Sequence, residues 1–243
     1  MVKKIYKRCR LGFVMCMLMG VAIFATGCGN PFTTMTHTSN DVKSEKVNKK
    51  SDNQKETSIK EYPEYPDYKA LDYVKLGNYT HLDINVSKED DENSSSVDSG
   101  IASKLVEICE VKEIPKELID WYIDCNIAAY ENAAAKSNQN IDKFVASQTG
   151  NQYKSMADLK KSWEETAENV LKIEVILHAI AEQEDITISD DEYNTQVDMY
   201  VAEYECKSVK DLYQYYKESN IRATILDNNT MDFVRANVTV AKK

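Results

Sequence analysis

Glycine is scarce in this chain, and its scarcity limits the available folds more than any other feature does. Only seven of the 243 residues are glycine, and three of these lie within the first 27 residues. A compact β-rich domain needs many tight turns, which depend on glycine or on Asn-Gly and Asp-Gly pairs. Because the rest of the chain has only Gly29, Gly77, Gly100 and Gly150, we expect a mostly α fold.

The N-terminus has the pattern of an export signal that ends at a lipid-bearing cysteine. Five Lys or Arg side chains between residues 3 and 10 precede fifteen apolar or small residues at 11–25. That length suits a signal-peptide core and is short for a membrane span, which needs about 20 residues. The run ends in ATGC at 25–28, which resembles the bacterial lipobox.

The lipobox resemblance implies cleavage before Cys28 and a diacylglyceryl group on its sulfur. We therefore expect residues 1–27 to be a lipoprotein signal peptide. The mature chain would then be lipid-anchored at the extracytoplasmic face of the bacterial cell membrane. The alternatives are a plain signal peptide and a signal anchor that happens to end near a cysteine.

Charge and cysteine usage exclude several classes of function. Loss of residues 1–27 removes five positive charges and takes the net charge from −10 to −15, which disfavours binding to nucleic acid. The three cysteines after Cys28 allow at most one disulfide, and their spacing suits no zinc site. The three histidines lie far apart in sequence, so we expect no metal and no cofactor.

Composition divides the chain into segments. Residues 28–68 are polar and have few large apolar side chains, which predicts a disordered tether. The tether ends in YPEYPDY at 62–68, which we interpret as a stiff extended spacer. Residues 69–100 hold one alternating strand pattern, at Leu82, Ile84 and Val86, and then an acidic, Ser-rich linker. Residues 101–243 are predicted to form a helical domain.

The helical domain shows four N-cap signals and apolar stripes at three- and four-residue spacing. The caps are Asn140, Ser155, Ser189 and Ser208. The segment 189–192 is also a capping box, SDDE. The longest predicted helix starts after Ser155, and its half from 170 to 181 is apolar on almost every face. We expect that half to be the buried centre of the domain.

Several stretches of the helical domain resemble the C-terminal domain of the bacterial chaperone trigger factor. These are IPKELI at 114–119, DLKKSW at 158–163, AIAEQEDITISDDE at 179–192, and MDFV and VTV at 231–240. The resemblance covers about 110–240 and implies two helical arms, an architecture similar to that of SurA-type chaperones. YVKLGNY at 73–79 also resembles the strand that leads into the isomerase domain of some clostridial trigger-factor-like lipoproteins. Only a short acidic linker follows it here, so we expect neither the prolyl isomerase domain nor the ribosome-binding domain.

The resemblance implies a holdase, a chaperone that binds unfolded or newly secreted polypeptides in an apolar cradle without catalysis. The fifteen tyrosines suit such a surface, since tyrosine gives large contact area at low entropic cost. The alternatives are an interaction or adaptor lipoprotein with the same fold, its cradle filled by one partner or a second copy, and a degenerate prolyl isomerase. The oligomeric state stays open.

Candidate client-contacting residues are those on or beside the predicted arm stripes, and any one of them could instead pack helix against helix. They are Tyr130, Met199, Tyr200, Tyr204, Tyr213, Tyr215 and Tyr216. Tyr215 and Met199 lie off the stripes of their helices, so we expect them to be the most exposed.

We find no catalytic motif. The paired carboxylates at 164–165 and 190–191 and the acidic run at 89–92 are expected on exposed helix faces, at a helix N-terminus and in a loop. An acid–base pair would have to converge in a cleft. His178 falls in the apolar half of the longest helix, where a hydrogen-bonded core histidine is the expected role.

Overall fold

The structure, a computed structural model, describes residues 60–86, 94–204, 206–214 and 216–242. The predicted signal peptide, Cys28 and most of the predicted tether lie outside the described residues, as does Tyr215. Within the described ranges the chain forms the helices α1 Ser94–Ile108, α2 Lys116–Lys136, α3 Ile141–Gln148, α4 Met156–Gln183, α5 Asp190–Glu203, α6 Val209–Leu212 and α7 Glu218–Ala236. This confirms the mostly α fold.

The four predicted N-caps are confirmed, and each satisfies backbone donors that a helix start leaves unpaired. The Asn140 side chain accepts hydrogen bonds from the amides of residues 142 and 143. The hydroxyls of Ser155, Ser189 and Ser208 each accept one from the amide three residues later. Local chemistry therefore sets where α3, α4, α5 and α6 begin.

The prediction of one strand was incomplete, because the described residues contain four strands in two small sheets. The strand β2 (Leu82–Val86) was predicted, and it pairs in parallel with β4 (Val238–Lys242) at the end of the chain. The two-residue strands β1 (Val74–Lys75) and β3 (Glu110–Val111) pair antiparallel. Such short or distant partners leave no periodic signal of their own.

The acidic linker was predicted to extend to residue 100, but α1 already occupies Ser94–Ile108. Ile101 and Leu105 on this helix are fully buried, and Val97 packs against the same core. Asp98 forms an ion pair with Arg235 of α7. Tertiary contacts thus extend a helix into a stretch whose serines give it weak helix propensity.

Two apolar clusters organise the molecule. The central core is formed by α1, α2, α4, the β-strands and the end of α7. As predicted, the second half of α4 is buried from Ile173 to Ala181 with the exception of His178, which is mostly buried. The smaller distal cluster joins α5, α6 and the start of α7, with a buried set of Tyr193, Val197, Tyr200, Leu212, Ile221 and Ile225.

The last part of the predicted tether is ordered and packed. Tyr62, Tyr65 and Tyr68 all pack against the central core, so the segment 60–69, which we call the strap, belongs to the domain. The interpretation of YPEYPDY as a free spacer was wrong. In the described ranges no helix is both long enough and apolar enough to cross a membrane.

Candidate functional site

The strap lies between α2 on one side and the start of α7 on the other, and polar side chains of both helices bind its backbone. The buried Asn132 accepts from the amide of Lys60 at 2.7 Å and donates to its carbonyl at 2.9 Å. From α7, Asn220 donates to the carbonyl of Pro63 at 3.1 Å, and the Ser219 hydroxyl accepts from the amide of Tyr65 at 2.9 Å. The contacts hold the main chain of an extended segment from both sides.

Aromatic rings anchor the strap to both apolar clusters. Tyr65 meets Trp121 of α2 edge-on, with ring centroids 4.8 Å apart. Tyr62 meets Tyr216 of the distal cluster with centroids 6.0 Å apart. Trp121 also donates to the Asn220 side chain at 3.3 Å, so the two helices that flank the strap contact each other directly. We call Trp121, Asn132, Ser219 and Asn220 the strap seat.

The strap ends at the last turn of α4. The Glu182 carboxylate accepts from the amides of Ala70 at 2.6 Å and Leu71 at 3.1 Å. These amides open a short 3-10 helix at Ala70–Asp72, whose first donors need an external acceptor. At its other end the strap is held by exposed ion pairs at Lys60–Glu131 and Glu61–Lys217, which contribute little.

A buried polar cluster lies beneath the strap. It contains Glu174 and His178 of α4 and Asp227 of α7, whose donor atoms all lie within 4.8 Å of one another. His178 Nε2 is 3.4 Å from Asp227 Oδ1 and 3.4 Å from the Tyr65 hydroxyl. The Tyr68 ring stacks on His178 with centroids 5.7 Å apart. His178 therefore has polar partners, as expected, but these include two carboxylates.

Burial and mutual repulsion set the protonation of this cluster. Burial, with the nearby Asp227, raises the pKa of Glu174 and outweighs the opposing effect of His178. Burial likewise raises the pKa of Asp227, partly offset by His178. Burial alone would lower the pKa of His178, but the surrounding carboxylates, Asp227 first, raise it overall.

The other titratable groups that face the cluster stay protonated near neutral pH. From the strap, burial and the charge of Glu174 raise the pKa values of Tyr65 and Tyr68. From α2, burial raises the pKa of the Cys125 thiol, with Asp124 and Glu174 adding to the effect. The net charge of the cluster thus depends on its two acids and its imidazole, together with the Glu182 carboxylate next to it.

A groove of about 520 Å³ runs alongside the cluster, past the end of the strap. Its walls combine the apolar side chains of Leu71, Ala181, Ile186 and Leu226 with the Tyr68 ring and the polar side chains of Glu182 and Asp185. The groove is open to solvent, and its lining is part apolar and part polar.

The predicted client contacts on the second arm lie in or against the distal cluster. Tyr200 is 1% exposed, so its ring is unavailable in this conformation. Tyr204 and Tyr216 pack together with centroids 5.7 Å apart. The Tyr213 hydroxyl lies 2.7 Å from that of Tyr193. For Tyr200 the structure therefore gives a packing role instead of the predicted contact role.

The remaining candidates differ in exposure. Tyr130 packs edge-on against Trp163 with centroids 5.5 Å apart, at the edge of the central core. Met199 is partly exposed. Contact of Tyr130, Met199, Tyr204, Tyr213, Tyr215 and Tyr216 with a client stays a prediction.

The expected open cradle is not seen in the described residues. Among their large apolar side chains, only Val106 and Val240 are more than a third exposed, at 40% and 37%. The seam between the two clusters is covered by the strap, which contacts both. Of the predicted client contacts, Tyr216 packs against Tyr62 of the strap, while Tyr200, Tyr204 and Tyr213 pack with other members of the distal cluster.

Two sequence signals could have located this site. The tyrosines at 62, 65 and 68 are three residues apart, which places them on one side of an extended polyproline-type segment. Glu174, His178 and Glu182 follow each other at four-residue steps, which aligns them on one face of α4. The contribution of Asp227 from α7 leaves no local signal.

Comparison with known proteins identifies the class of domain to which this fold belongs. The family model for the C-terminus of bacterial trigger factor protein matches residues 75–236. The chain therefore belongs to this family, and it has a trigger factor C-terminal, chaperone-like domain. The match starts earlier than the resemblance at 110–240; it includes β2 and β3 and ends before β4.

Curated relatives give the same result at low identity. The trigger factors of Clostridium beijerinckii and Geobacter sp. are each 24% identical, over 191 and 205 residues, and Acetivibrio thermocellus trigger factor is 22% identical over 193 residues. These alignments cover 75–78% of this chain but 44% of each relative. The chain thus spans less than half the length of the relatives it matches. No solved structure matches the chain at the level of significance that these relatives reach.

Proposed function

We propose that this protein is a membrane-anchored extracytoplasmic holdase, which binds unfolded or newly secreted polypeptides in the cleft that the strap occupies. Its family membership supports a chaperone role. The observation that carries the proposal is the strap itself, an extended peptide held between two helices through its main chain and its aromatic side chains.

The strap seat has the chemistry that a sequence-tolerant peptide site needs. Asn132, Ser219 and Asn220 bind main-chain groups, which every client also offers. Trp121 supplies a broad apolar face, and the adjacent groove offers room for a side chain. Main-chain hydrogen bonds give affinity and shallow pockets give weak preference, as in other modes of extended-peptide recognition.

Clients must compete with the strap for this cleft. The strap is part of the same chain as its seat, so its effective concentration there is high. The apparent affinity for a client is the affinity of the empty seat multiplied by the fraction of time that the seat is empty. The exposed ion pairs at residues 60 and 61 add little to the hold on the strap, so a client has to displace mainly the hydrogen bonds of Asn132, Ser219 and Asn220.

Suppression of aggregation tests the proposal. Several unrelated, chemically unfolded proteins are diluted into buffer with the mature chain, and light scattering is followed. A general holdase lowers scattering for most of the panel. An effect on a single client would support the adaptor alternative, and no effect on any client would contradict the holdase.

Two variants separate the strap from its seat. Tyr65→Ser removes the ring that packs on Trp121, so we expect the strap to release and client binding to strengthen. Asn220→Ala removes a main-chain contact from the seat, so we expect weaker client binding. Tyr65→Phe keeps the ring and loses the hydroxyl that contacts His178 and Tyr68, so the strap should be released less than in Tyr65→Ser. Asn194→Ala changes an exposed amide on α5 and should resemble the wild type.

The membrane anchor is a separate part of the proposal, and it rests on the ATGC motif at 25–28. In cells, labelled fatty acid should enter the wild-type protein, and the protein should sediment with membranes. Cys28→Ser should abolish both the label and the sedimentation. Unlabelled wild-type protein in the soluble fraction would contradict the anchor and leave the chaperone proposal standing.

A further inference from the structure

The buried polar cluster under the strap has the composition of a metal site. Glu174 and His178 are four residues apart on α4, so both side chains leave the same face of the helix. Asp227 faces them from α7. Two carboxylates and one imidazole form a three-ligand set that suits a borderline divalent cation such as Zn²⁺.

The two carboxylates of this cluster have few partners for buried charges: His178 Nε2 lies 3.4 Å from Asp227 Oδ1, and the Tyr65 hydroxyl hydrogen-bonds Glu174. Glu174 is 3% exposed and Asp227 is 1% exposed. Glu174 Oε1 and both Asp227 oxygens are buried without a hydrogen bond. No Lys or Arg in the described ranges lies within 4 Å of either carboxylate. An isolated buried carboxylate is costly unless it is paired, protonated or bound to a metal.

We propose that Glu174, His178 and Asp227 bind one divalent transition-metal ion, with Zn²⁺ as the reference ion. The separation of 3.4 Å between His178 Nε2 and Asp227 Oδ1 matches the ~3.4 Å edge of a tetrahedron whose metal–ligand bonds are about 2.05 Å. The Glu174 oxygen lies within 4.8 Å of both other donor atoms, so Glu174 completes the set by moving towards them.

The strap encloses this site, whose three protein ligands leave the fourth tetrahedral position open. The strap covers it, and the Tyr65 and Tyr68 hydroxyls lie 3.1 Å apart at its edge. The metal joins α4 to α7 beneath the strap, and it compensates two buried carboxylates that otherwise share His178 as their one basic neighbour within 4.8 Å in the described ranges. The expectation that the chain holds no metal considered only its cysteines and histidines. Glu174 and Asp227 supply the ligands that it overlooked.

Metal analysis of the mature chain, purified without a histidine tag, tests the proposal. Plasma mass spectrometry should find close to one metal ion per chain. After chelation and removal of the chelator, calorimetric titration with ZnCl₂ should show one tight site, and added Zn²⁺ should raise the melting temperature. A metal-free protein whose melting temperature does not respond to Zn²⁺, Mn²⁺ or Co²⁺ would overturn the proposal and leave a cluster neutralised by protons.

Isosteric variants locate the site. Glu174→Gln, His178→Gln and Asp227→Asn should each weaken Zn²⁺ binding by more than the roughly 10–100-fold that loss of a supporting partner costs. His81→Gln removes an exposed histidine and should bind as the wild type does. Unchanged affinity in the three cluster variants would show that Zn²⁺ binds elsewhere.

Cobalt spectroscopy keeps the test decisive if a variant folds poorly. Wild-type protein loaded with Co²⁺ should show visible ligand-field bands typical of nitrogen and oxygen coordination, and excess Zn²⁺ should abolish them. A spectrum equal to that of aqueous Co²⁺ would overturn the proposal. Neither result depends on client binding, so the metal site and the holdase can fail separately.

Discussion

The central core and the distal cluster are built from helices with similar apolar spacing, yet they bury different chemistry. In α4 the buried face is largely aliphatic, and several other elements cover it. In α5 the buried positions are Tyr193, Val197 and Tyr200, and cover comes from α6 and α7. A stripe of given period therefore indicates which face is buried but not how deeply, because depth depends on how many elements cover that face.

This difference predicts a difference in stability. The distal cluster has six buried members, and the tyrosines at its edge are partly buried. Regions with few buried apolar contacts open at lower free energy than the global core does. We expect the distal cluster to open first. The strap couples this opening to the central core, because Tyr62 contacts both regions.

The largest effect is expected in the central core. Ile176 is fully buried on α4, so Ile176→Ala should lower the free energy of unfolding by about 2–5 kcal/mol. Urea denaturation measures the change. Val106→Ala, at a residue 40% exposed, should stay within about 0.5 kcal/mol of the wild type. Equal losses in the two variants would contradict the assignment of the core.

A smaller and more local effect is expected in the distal cluster. Leu212 is fully buried where α6 packs, and Leu212→Ala should cost about 2 kcal/mol, at the low end for such truncations. Hydrogen exchange should show lost protection in α5 and α6 and retained protection in α4. Equal loss of protection in α4 would show that the two regions unfold as one unit.

The central core should also respond to pH, in the metal-free protein. Glu174, Asp227 and His178 have pKa values raised by folding, so the native state keeps protons that the unfolded state has lost. The stabilisation that comes from the protons on the two acids decreases as the pH rises above about 4. The stabilisation that comes from the proton on the imidazole decreases above about pH 6.5. Between pH 5 and 8 the free energy of unfolding should decline by on the order of 1–2 kcal/mol.

Denaturation of chelator-treated protein across that pH range measures the decline, and Glu174→Gln should reduce it. In the distal region burial raises the pKa values of Tyr193, Tyr216 and Cys206, and hydrogen bonds to acids raise those of Arg222 and Lys217. All of these groups keep their protons between pH 5 and 8. Protection of α5 should therefore depend little on pH. A rise in the stability of α4 with pH would contradict the raised pKa values.

The smallest effect concerns a single hydrogen bond of the distal cluster. Tyr213→Phe removes the partner of the Tyr193 hydroxyl, 2.7 Å away, and should cost about 1 kcal/mol. Amide hydrogen-exchange rates in α5 measure this loss of stability. Tyr153→Phe removes a hydroxyl that accepts a hydrogen bond from the exposed Gln152, and it should leave the stability nearly unchanged. An equally neutral Tyr213→Phe would mean that water replaces the lost partner.

Local rules predicted much of the fold and little of the site. Serine and asparagine caps set the starts of α3 to α6, and periodicity identified the buried half of α4. The missed features depend on distant partners. The strap is ordered by side chains 72 to 157 residues away, and β4 forms by pairing with a strand near the other end of the domain. Glu174 was passed over because its apolar neighbours dominate the pattern.

Backbone amide exchange in the strap tests the central claim most directly. The amides of Lys60 and Tyr65 are bonded to Asn132 and Ser219, so exchange should be slow in the free protein. Saturation with an unfolded client should speed exchange at both amides, because the client takes the strap's place. A client that binds while both amides stay fully protected would show that clients are held elsewhere and would contradict the proposed cleft.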